Sequence, residues 1–172
     1  MHATRFAAVS VAVAASLVVA ASLSGCASTT GAGAGAGTTL AKAKATTLSI
    51  ESRMLTFIPK SSIVSVDQPK KSTVLFPCLK KQNQSYWPST MTVSLKPGSD
   101  TSNILDTLGS YWTNKDGWTV SASTAADGTP TMDVVSDSGY NFTAEIAQGP
   151  VFTVTSLSAC FPSAGLAGKS SY

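Results

Sequence analysis

The sequence predicts an α+β fold, with an antiparallel sheet, a C-terminal four-strand meander and one or two helices packed on one face. Two observations predict it. Between residues 118 and 158, four segments rich in β-branched and apolar residues are separated by short turn sequences such as DSG at 137–139. Short loops between consecutive strands favour antiparallel pairing. Upstream, residues 99–117 have the apolar spacing of a helix.

Residues 99–117 contain the clearest helix signal. Ser99 or Asp100 is placed to cap it, and Gly117 ends the segment. Five apolar residues fall on one face: Ile104, Leu105, Leu108, Tyr111 and Trp112. This helix should therefore cover the sheet with that face.

A second, shorter helix is predicted over residues 47–58. Thr47 can cap its start, and Pro59 ends it. The apolar residues of this helix are spaced for one face: Leu48, Met54, Leu55 and Ile58.

The strand signals divide into an N-terminal and a C-terminal set. Residues 89–95 alternate apolar and hydroxyl side chains, with Met91, Val93 and Leu95 on one face, as in a half-buried strand. The other predicted strands are 61–66 and 72–78 in the N-terminal half, then 118–123, 131–136, 140–146 and 151–158.

The N-terminus has the pattern of an export signal. Arg5 supplies a positive charge, and residues 6–21 are apolar or small and uncharged. Sixteen residues are fewer than the roughly 20 that a membrane-spanning helix needs, so a signal segment fits better. The run is followed by Leu23-Ser24-Gly25-Cys26, placed between it and a glycine–alanine repeat.

Leu23-Ser24-Gly25-Cys26 resembles the lipobox of bacterial lipoprotein precursors. The resemblance implies cleavage before Cys26 and acylation of its thiol. It also implies a location at the cell membrane, on the extracytoplasmic side, with the membrane as a partner through the lipid anchor. Two acyl chains suffice for stable anchoring. The alternative is an ordinary signal peptide with an incidental cysteine.

On this interpretation the chain has four parts. Residues 1–25 form the signal, 26–45 a flexible tether rich in small residues, 46–165 a single α+β domain, and 166–172 a frayed tail. Cleavage would leave 147 residues, with eleven basic and nine acidic side chains and a net charge of +2. It would also remove the chain's one histidine.

Cys78 and Cys160 remain after Cys26 is assigned to lipid. A pair of cysteines in an exported chain is most simply a disulfide. The chain-entropy model gives a loop of this length about 4–5 kcal/mol of stabilisation. The rival interpretation, a thiol nucleophile and a spare cysteine, lacks a histidine to activate the thiol.

Catalytic, metal and cofactor motifs are missing from the sequence. It contains no C-x-x-C, Walker loop, G-x-S-x-G or S-x-x-K pattern, so we expect no metal site and no cofactor. A Ser–Lys dyad stays open because serine is abundant. A carboxylate pair for glycoside cleavage also stays open, since Asp133, Asp137 and Glu145 are close in the meander. We nevertheless expect that the protein is not an enzyme.

Charge is distributed unevenly along the chain. Residues 42–96 contain nine basic and two acidic side chains, whereas residues 97–172 contain two basic and seven acidic ones. The lysines of predicted loops, Lys70, Lys71, Lys80 and Lys81, could meet anionic lipid or an acidic wall component. The alternative is mutual neutralisation within one domain. Export and the small net charge argue against nucleic-acid binding.

The aromatic residues are predicted to fall into two groups, one at the surface and one in the core. Tyr86 and Trp87 precede Pro88, so we expect them beside a loop, where they could form part of a binding surface. Core packing explains Trp112 and Trp118 more simply.

The chain as a whole is similar to small actinobacterial envelope lipoproteins of uncharacterised function, including mycobacterial LppA-like ones. They share a small-residue tether, one α+β domain and a late S-x-C-F-P ending, here residues 158–162. We expect a non-enzymatic binding or adaptor protein whose partner is an envelope protein or a wall component. The alternatives are a carrier of lipid or another apolar ligand, which needs an internal cavity, and a cell-wall hydrolase, which needs converging catalytic groups.

Overall fold

The computed structural model describes residues 37–147 and 149–172. Its two helices are α1 (Leu40–Leu55) and α2 (Ile104–Thr113), and a single turn of 3-10 helix covers Lys60–Ser62. The nine strands are β1 (Ile63–Asp67), β2 (Phe76–Pro77), β3 (Gln84–Tyr86), β4 (Pro88–Leu95), β5 (Trp118–Thr124), β6 (Pro130–Ser136), β7 (Asn141–Ala147), β8 (Val151–Leu157) and β9 (Phe161–Pro162).

Six strands form the main sheet, in the order β1-β4-β8-β7-β6-β5. Every neighbouring pair in it is antiparallel. Strands β5 to β8 are consecutive neighbours, so the predicted α+β class and the four-strand meander are confirmed. The turns between them are short, as antiparallel pairing of sequential strands requires.

Helix α2 covers one face of the sheet with the side chains that its spacing predicts. Ile104, Leu105, Leu108 and Trp112 are buried. Gly109 also faces the sheet: a Cβ there would lie 2.8 Å from the Met132 Cε atom. The missing side chain lets the helix approach β6 closely.

The main core lies between the sheet and both helices. The predicted alternation of β4 is confirmed, since Met91, Val93 and Leu95 are all buried. Met91 pairs with Val154 of β8 and Val93 with Phe152, so one apolar layer continues across the sheet. Met54 and Ile58, at the C-terminal end of α1 and just beyond it, complete this core.

Helix α1 begins earlier than the sequence predicts. The side chain of Thr39 accepts a hydrogen bond from the Lys42 N–H and caps the helix. Thr47, the predicted cap, lies inside the helix and is buried, and its hydroxyl donates to the Ala43 carbonyl. The folded domain therefore begins before residue 46, and the expected tether, 26–45, is wrong over 40–45. Residues 26–36 lie outside the described residues.

Polar side chains are also buried on α1 and on the β4–β8 pair, and we call them the buried polar layer. Glu51 is fully buried, and its Oε2 accepts a hydrogen bond from Gln68 Nε2 at 2.8 Å. Ser89 and Ser156 pair across β4 and β8. Among the described residues, Glu51 Oε1 and both serine hydroxyls have no hydrogen-bond partner. Buried polar groups in this state reduce stability.

A second sheet of three strands, β2-β3-β9, adjoins the start of β4. The predicted strand over 72–78 is reduced to Phe76–Pro77. Cys78 follows β2 directly and Cys160 precedes β9, and the two form the predicted disulfide. The bond therefore ties the C-terminal end of the chain to its N-terminal half.

The C-terminal tail is docked, so the expectation of a frayed segment at 166–172 is wrong. The Tyr172 backbone exchanges two hydrogen bonds with Ser72, at 2.8 and 3.0 Å. Its phenol donates to the Leu166 carbonyl at 2.9 Å. Leu166 and Tyr172 pack against the small cluster of Ala43, Trp87 and Phe161. These contacts explain why a segment that is rich in small residues is nonetheless fixed.

Candidate binding site

A cleft of about 330 Å³ lies over the disulfide. We call it the disulfide cleft. Most of its lining surface is apolar, with lysines among the lining residues. The lining residues are Cys78, Leu79, Lys80, Lys81, Tyr86, Ser138, Gly139 and Cys160. A concave apolar surface with a few polar groups is the usual form of a ligand-binding site.

The loop between β2 and β3 forms one wall of the cleft. Its closure is fixed by backbone bonds, from the Cys78 N–H to the Gln84 carbonyl at 2.9 Å and from the Lys81 N–H to the Cys78 carbonyl at 3.2 Å. Asn83 ends the loop with a φ of 57°, a left-handed conformation that asparagine tolerates. This tight loop pushes Leu79 into solvent, where 95% of the side chain is exposed.

Two further elements complete the cleft. Tyr86 lies on β3, half-buried, opposite Phe76 of β2. The turn between β6 and β7 supplies Ser138 and Gly139, the latter with a φ of 93°. Glycine suits this turn because it adopts a positive φ without steric cost. Tyr86, Lys80 and Lys81 are predicted site residues, whereas neither Leu79 nor the contribution of the predicted turn at 137–139 to a site is predicted.

Trp87 is not part of a surface site, which corrects the prediction made for it. Its side chain is fully buried against Ala43 and Phe161. Pro88 begins strand β4 instead of a loop, so the preceding residue is held in the sheet. The Trp87 backbone N–H donates to Ser158 Oγ at 2.9 Å. The predicted core positions of Trp112 and Trp118 are confirmed, with Trp112 buried and Trp118 partly buried.

Lys70 and Lys71 lie apart from the disulfide cleft. Lys71 lines a neighbouring groove with Val74 and Phe76, along the β4–β8 end of the main sheet. The Lys44 ammonium lies 5.3 Å from the centroid of the Trp87 ring. Partial burial, and the positive charge of Lys71, lower the pKa of Lys44. The charges of Lys44, on α1, and Lys71, in the segment before β2, thus repel each other.

The uneven charge of the sequence becomes an uneven charge of the fold. The basic residues 42–96 build α1, β1, β4 and two strands of the small sheet, whereas the acidic residues 97–172 build α2 and β5 to β8. Strands β1 and β5 are the two edges of the main sheet. We call the β1 side of the main sheet, with α1 and the small sheet, the basic end, and the β5 side, with α2, the acidic end.

The three carboxylates considered for catalysis, Asp133, Asp137 and Glu145, do not line the disulfide cleft. Asp133 accepts a hydrogen bond from Thr143 Oγ1 at 2.6 Å, and its register partner is the same threonine. Glu145 pairs with Thr131, two positions further along the strands. Asp137 is exposed in the turn after β6. Among the described residues, no group of three or more potential metal ligands is found.

Apolar side chains pack between α2 and the sheet, where a carrier would need an enclosed cavity, and an open groove of about 440 Å³ runs along the edge between α2 and β5. Leu108 is fully buried there, as are four residues of the facing strands: Val134, Phe142, Phe152 and Val154. Dense packing of this kind favours a binding surface over an internal ligand site.

No protein-family model, curated protein or solved structure matches this chain. Within residues 37–147 and 149–172, neither helix has the length and apolar character needed to cross a membrane.

Proposed function

We propose that the protein is an exported, lipid-anchored binding protein of the cell envelope, with no catalytic role. The disulfide cleft binds an acidic envelope protein or wall component. The anchor is the acylated Cys26, on the strength of the lipobox resemblance and the preceding apolar run. The membrane is thus one partner of the protein and the component held in the cleft is the other.

One observation carries the binding proposal: the disulfide cleft combines an exposed apolar side chain with a lysine at its rim. Leu79 is 95% exposed and Lys80 is exposed beside it. Tyr86 gives the cleft an amphipathic ring of the kind enriched in binding surfaces. An acidic group on the partner would meet Lys80, and an apolar group would cover Leu79 and Tyr86.

The binding proposal is tested by cross-linking in intact cells. A photoreactive amino acid at Leu79 should form a specific cross-linked product, because the side chain projects at the cleft. The matched control is the same amino acid at Val135, an exposed aliphatic residue of β6 at the acidic end. Products of equal yield and identity from both positions would contradict the proposed site.

The anchoring proposal is tested separately. Cys26→Ala should abolish labelling by a fatty-acid analogue and leave the protein unprocessed or released. Cys78→Ser/Cys160→Ser serves as the control, because it also changes cysteines but should keep the label. Unchanged acyl labelling of Cys26→Ala would refute the anchor without bearing on the cleft.

A further inference from the structure

A second surface with binding character lies next to the disulfide cleft, and the proposed function does not use it. It consists of Lys44, Lys70, Lys71, Val74 and Phe76, and we call it the basic face. Lys71, Val74 and Phe76 line one groove of about 460 Å³. Lys44 is electrostatically coupled to Lys71, and Lys70 is its exposed neighbour in sequence.

The apolar part of the basic face is open to solvent. Val74 is 48% exposed and Phe76 is 49% exposed. Val74 lies just before β2 and Phe76 is the first residue of β2, and both side chains line the same groove. Exposed aliphatic and aromatic side chains beside lysines are typical of surfaces that enter the boundary between lipid headgroups and acyl chains.

The segment of chain that carries the basic face contains few acidic side chains. Between residues 37 and 96 the acidic side chains are Glu51 and Asp67. Glu51 is fully buried and hydrogen-bonded to Gln68, so it does not face the lysines at the surface. Asp67 ends β1, and Lys70 and Lys71 form no ion pair with it among the described residues. A positive surface of this kind attracts anionic lipid headgroups.

The point where the chain enters the domain lies at the same side of the molecule. Helix α1 begins at Leu40, and Lys44 lies about 6 Å further along its axis. Eleven residues lead from Cys26 to Gly37, and even a fully extended chain of that length spans at most about 40 Å. An anchor at Cys26 would therefore keep the start of α1 within about 40 Å of the membrane that carries it.

We propose that the basic face docks on the anionic lipid surface of the membrane to which the protein is anchored. Lys70 and Lys71 would contact headgroup phosphates, and Val74 and Phe76 would enter the interfacial layer. Phe76 pairs with Tyr86, so docking would place the disulfide cleft beside the membrane surface. The proposal rests on the proposed function for the anchor, and it adds an orientation of the domain.

Acetylation of lysines on vesicles tests this docking. The acylated protein, purified from the membranes of cells that produce it, is incorporated through its lipid anchor into vesicles of phosphatidylcholine alone or mixed with phosphatidylglycerol. Mass spectrometry then follows the acetylation of each lysine. We expect Lys70 and Lys71 to react severalfold more slowly on the anionic vesicles, and added salt to remove the difference. Lys60 and Lys96, at the opposite end of β4, should react equally on both.

Charge variants provide the matched comparison. Each lysine near an anionic surface strengthens binding about fivefold, so Lys70→Gln/Lys71→Gln should weaken docking about 25-fold. Protection of Lys44 is the readout for that variant. Lys60→Gln/Lys96→Gln removes the same charge elsewhere and should leave the protection of Lys44 unchanged. Val74→Ser/Phe76→Ser should also reduce protection while keeping every charge.

Two results would overturn the docking proposal. Equal acetylation of Lys70 and Lys71 on the two kinds of vesicle is one of them, even if the lysines are protected in intact cells, because an acidic protein or polymer would then be the partner. Equal loss of protection in both charge variants is the other. Flotation with the neutral vesicles reports the anchor alone, so failure of the anchor is distinguishable from failure of docking.

Discussion

The two ends of the main sheet are built on different principles. At the acidic end, α2 lays four buried apolar side chains on β5 and β6, and Gly109 brings the helix close. At the basic end, α1 buries Thr47 and Glu51 and rests on a small cluster around Trp87. A disulfide and a docked C-terminus close that end.

The two ends therefore differ in what stabilises them and in how much apolar surface they leave free to bind a partner. The acidic end owes its structure to burial of apolar surface, which leaves little of it exposed. The basic end exposes Val64, Val66, Val74, Phe76 and Leu79, and a covalent bond adds to the burial that holds it. A region that must present apolar side chains to a partner cannot also use them for its own core, and a cross-link offsets that loss.

Removal of the disulfide should have the largest effect and should fall on the basic end. Cys78→Ser/Cys160→Ser opens a loop with a sequence separation of 82 residues, so the free energy of unfolding should drop by about 4–5 kcal/mol. Guanidinium denaturation of the oxidised protein and of the variant measures the difference. Hydrogen exchange should show the loosening in β2, β3 and β9, and a loss confined to α2 would be contrary to the comparison.

Truncation of one leucine on each helix compares the two ends directly. Leu108→Ala, on α2, should cost about 3 kcal/mol because the side chain is fully buried in the main core. Leu48→Ala, on α1, should cost about 1 kcal/mol, since Leu48 is only partly buried against the small cluster. Denaturation midpoints with unchanged slopes provide the measurement. Equal costs would show that the helices contribute alike to stability.

The buried polar layer under α1 can be tested with single and double variants of Gln68 and Glu51. Gln68→Ala leaves the buried Glu51 carboxylate without its donor, at a cost of about 2 kcal/mol. Adding Glu51→Met removes the unsatisfied group, so the double variant should be more stable than Gln68→Ala alone. A double variant that is less stable than Gln68→Ala would show that Glu51 stabilises α1 independently of Gln68.

The smallest predicted effect concerns two lysines of the basic face. Lys71→Gln should raise the pKa of Lys44 towards its usual value, because a neighbouring positive charge is lost. Lys70→Gln is the matched control and should change it less. Nuclear magnetic resonance titration of the Lys44 side chain measures both.

The lowered pKa of Lys44 also predicts how the free energy of unfolding changes with pH. The lowered pKa means that the folded protein binds this proton less tightly than the unfolded chain. The free energy of unfolding should therefore rise with pH as Lys44 loses its proton, between its folded-state pKa and 10.5. The effect should be smaller in Lys71→Gln.

The acidic end could be predicted from the sequence, and the basic end only in part. The apolar spacing of α2 and the turn residues of the meander are local patterns, so both can be recognised in a single sequence. The start of α1 was missed because its buried residues include Thr47 and Glu51, which carry no apolar signal. Its residues 40–45 also resemble the small-residue segment before them.

The candidate site was predicted for reasons that were only partly right. Lysines in loops and a tyrosine before a proline pointed to Lys80, Lys81 and Tyr86, which line one cleft. The same reasoning is wrong for Trp87, because α1 covers its side chain. The predicted helix starts too late in the sequence to reveal that contact. Gly139 and Ser138 reach the cleft through tertiary folding, which local pattern does not reveal.

We propose that the basic end and the disulfide cleft meet the protein's partners, and that the β5 edge of the main sheet does not. Hydroxyl-radical footprinting of the full chain, in intact cells and as purified protein, tests it most directly. We predict that Leu79, Phe76 and Tyr86 are oxidised severalfold more slowly in cells, whereas Val135 and Val120 are oxidised equally in both. Protection at Val135 and Val120 with none at Leu79 would contradict the account.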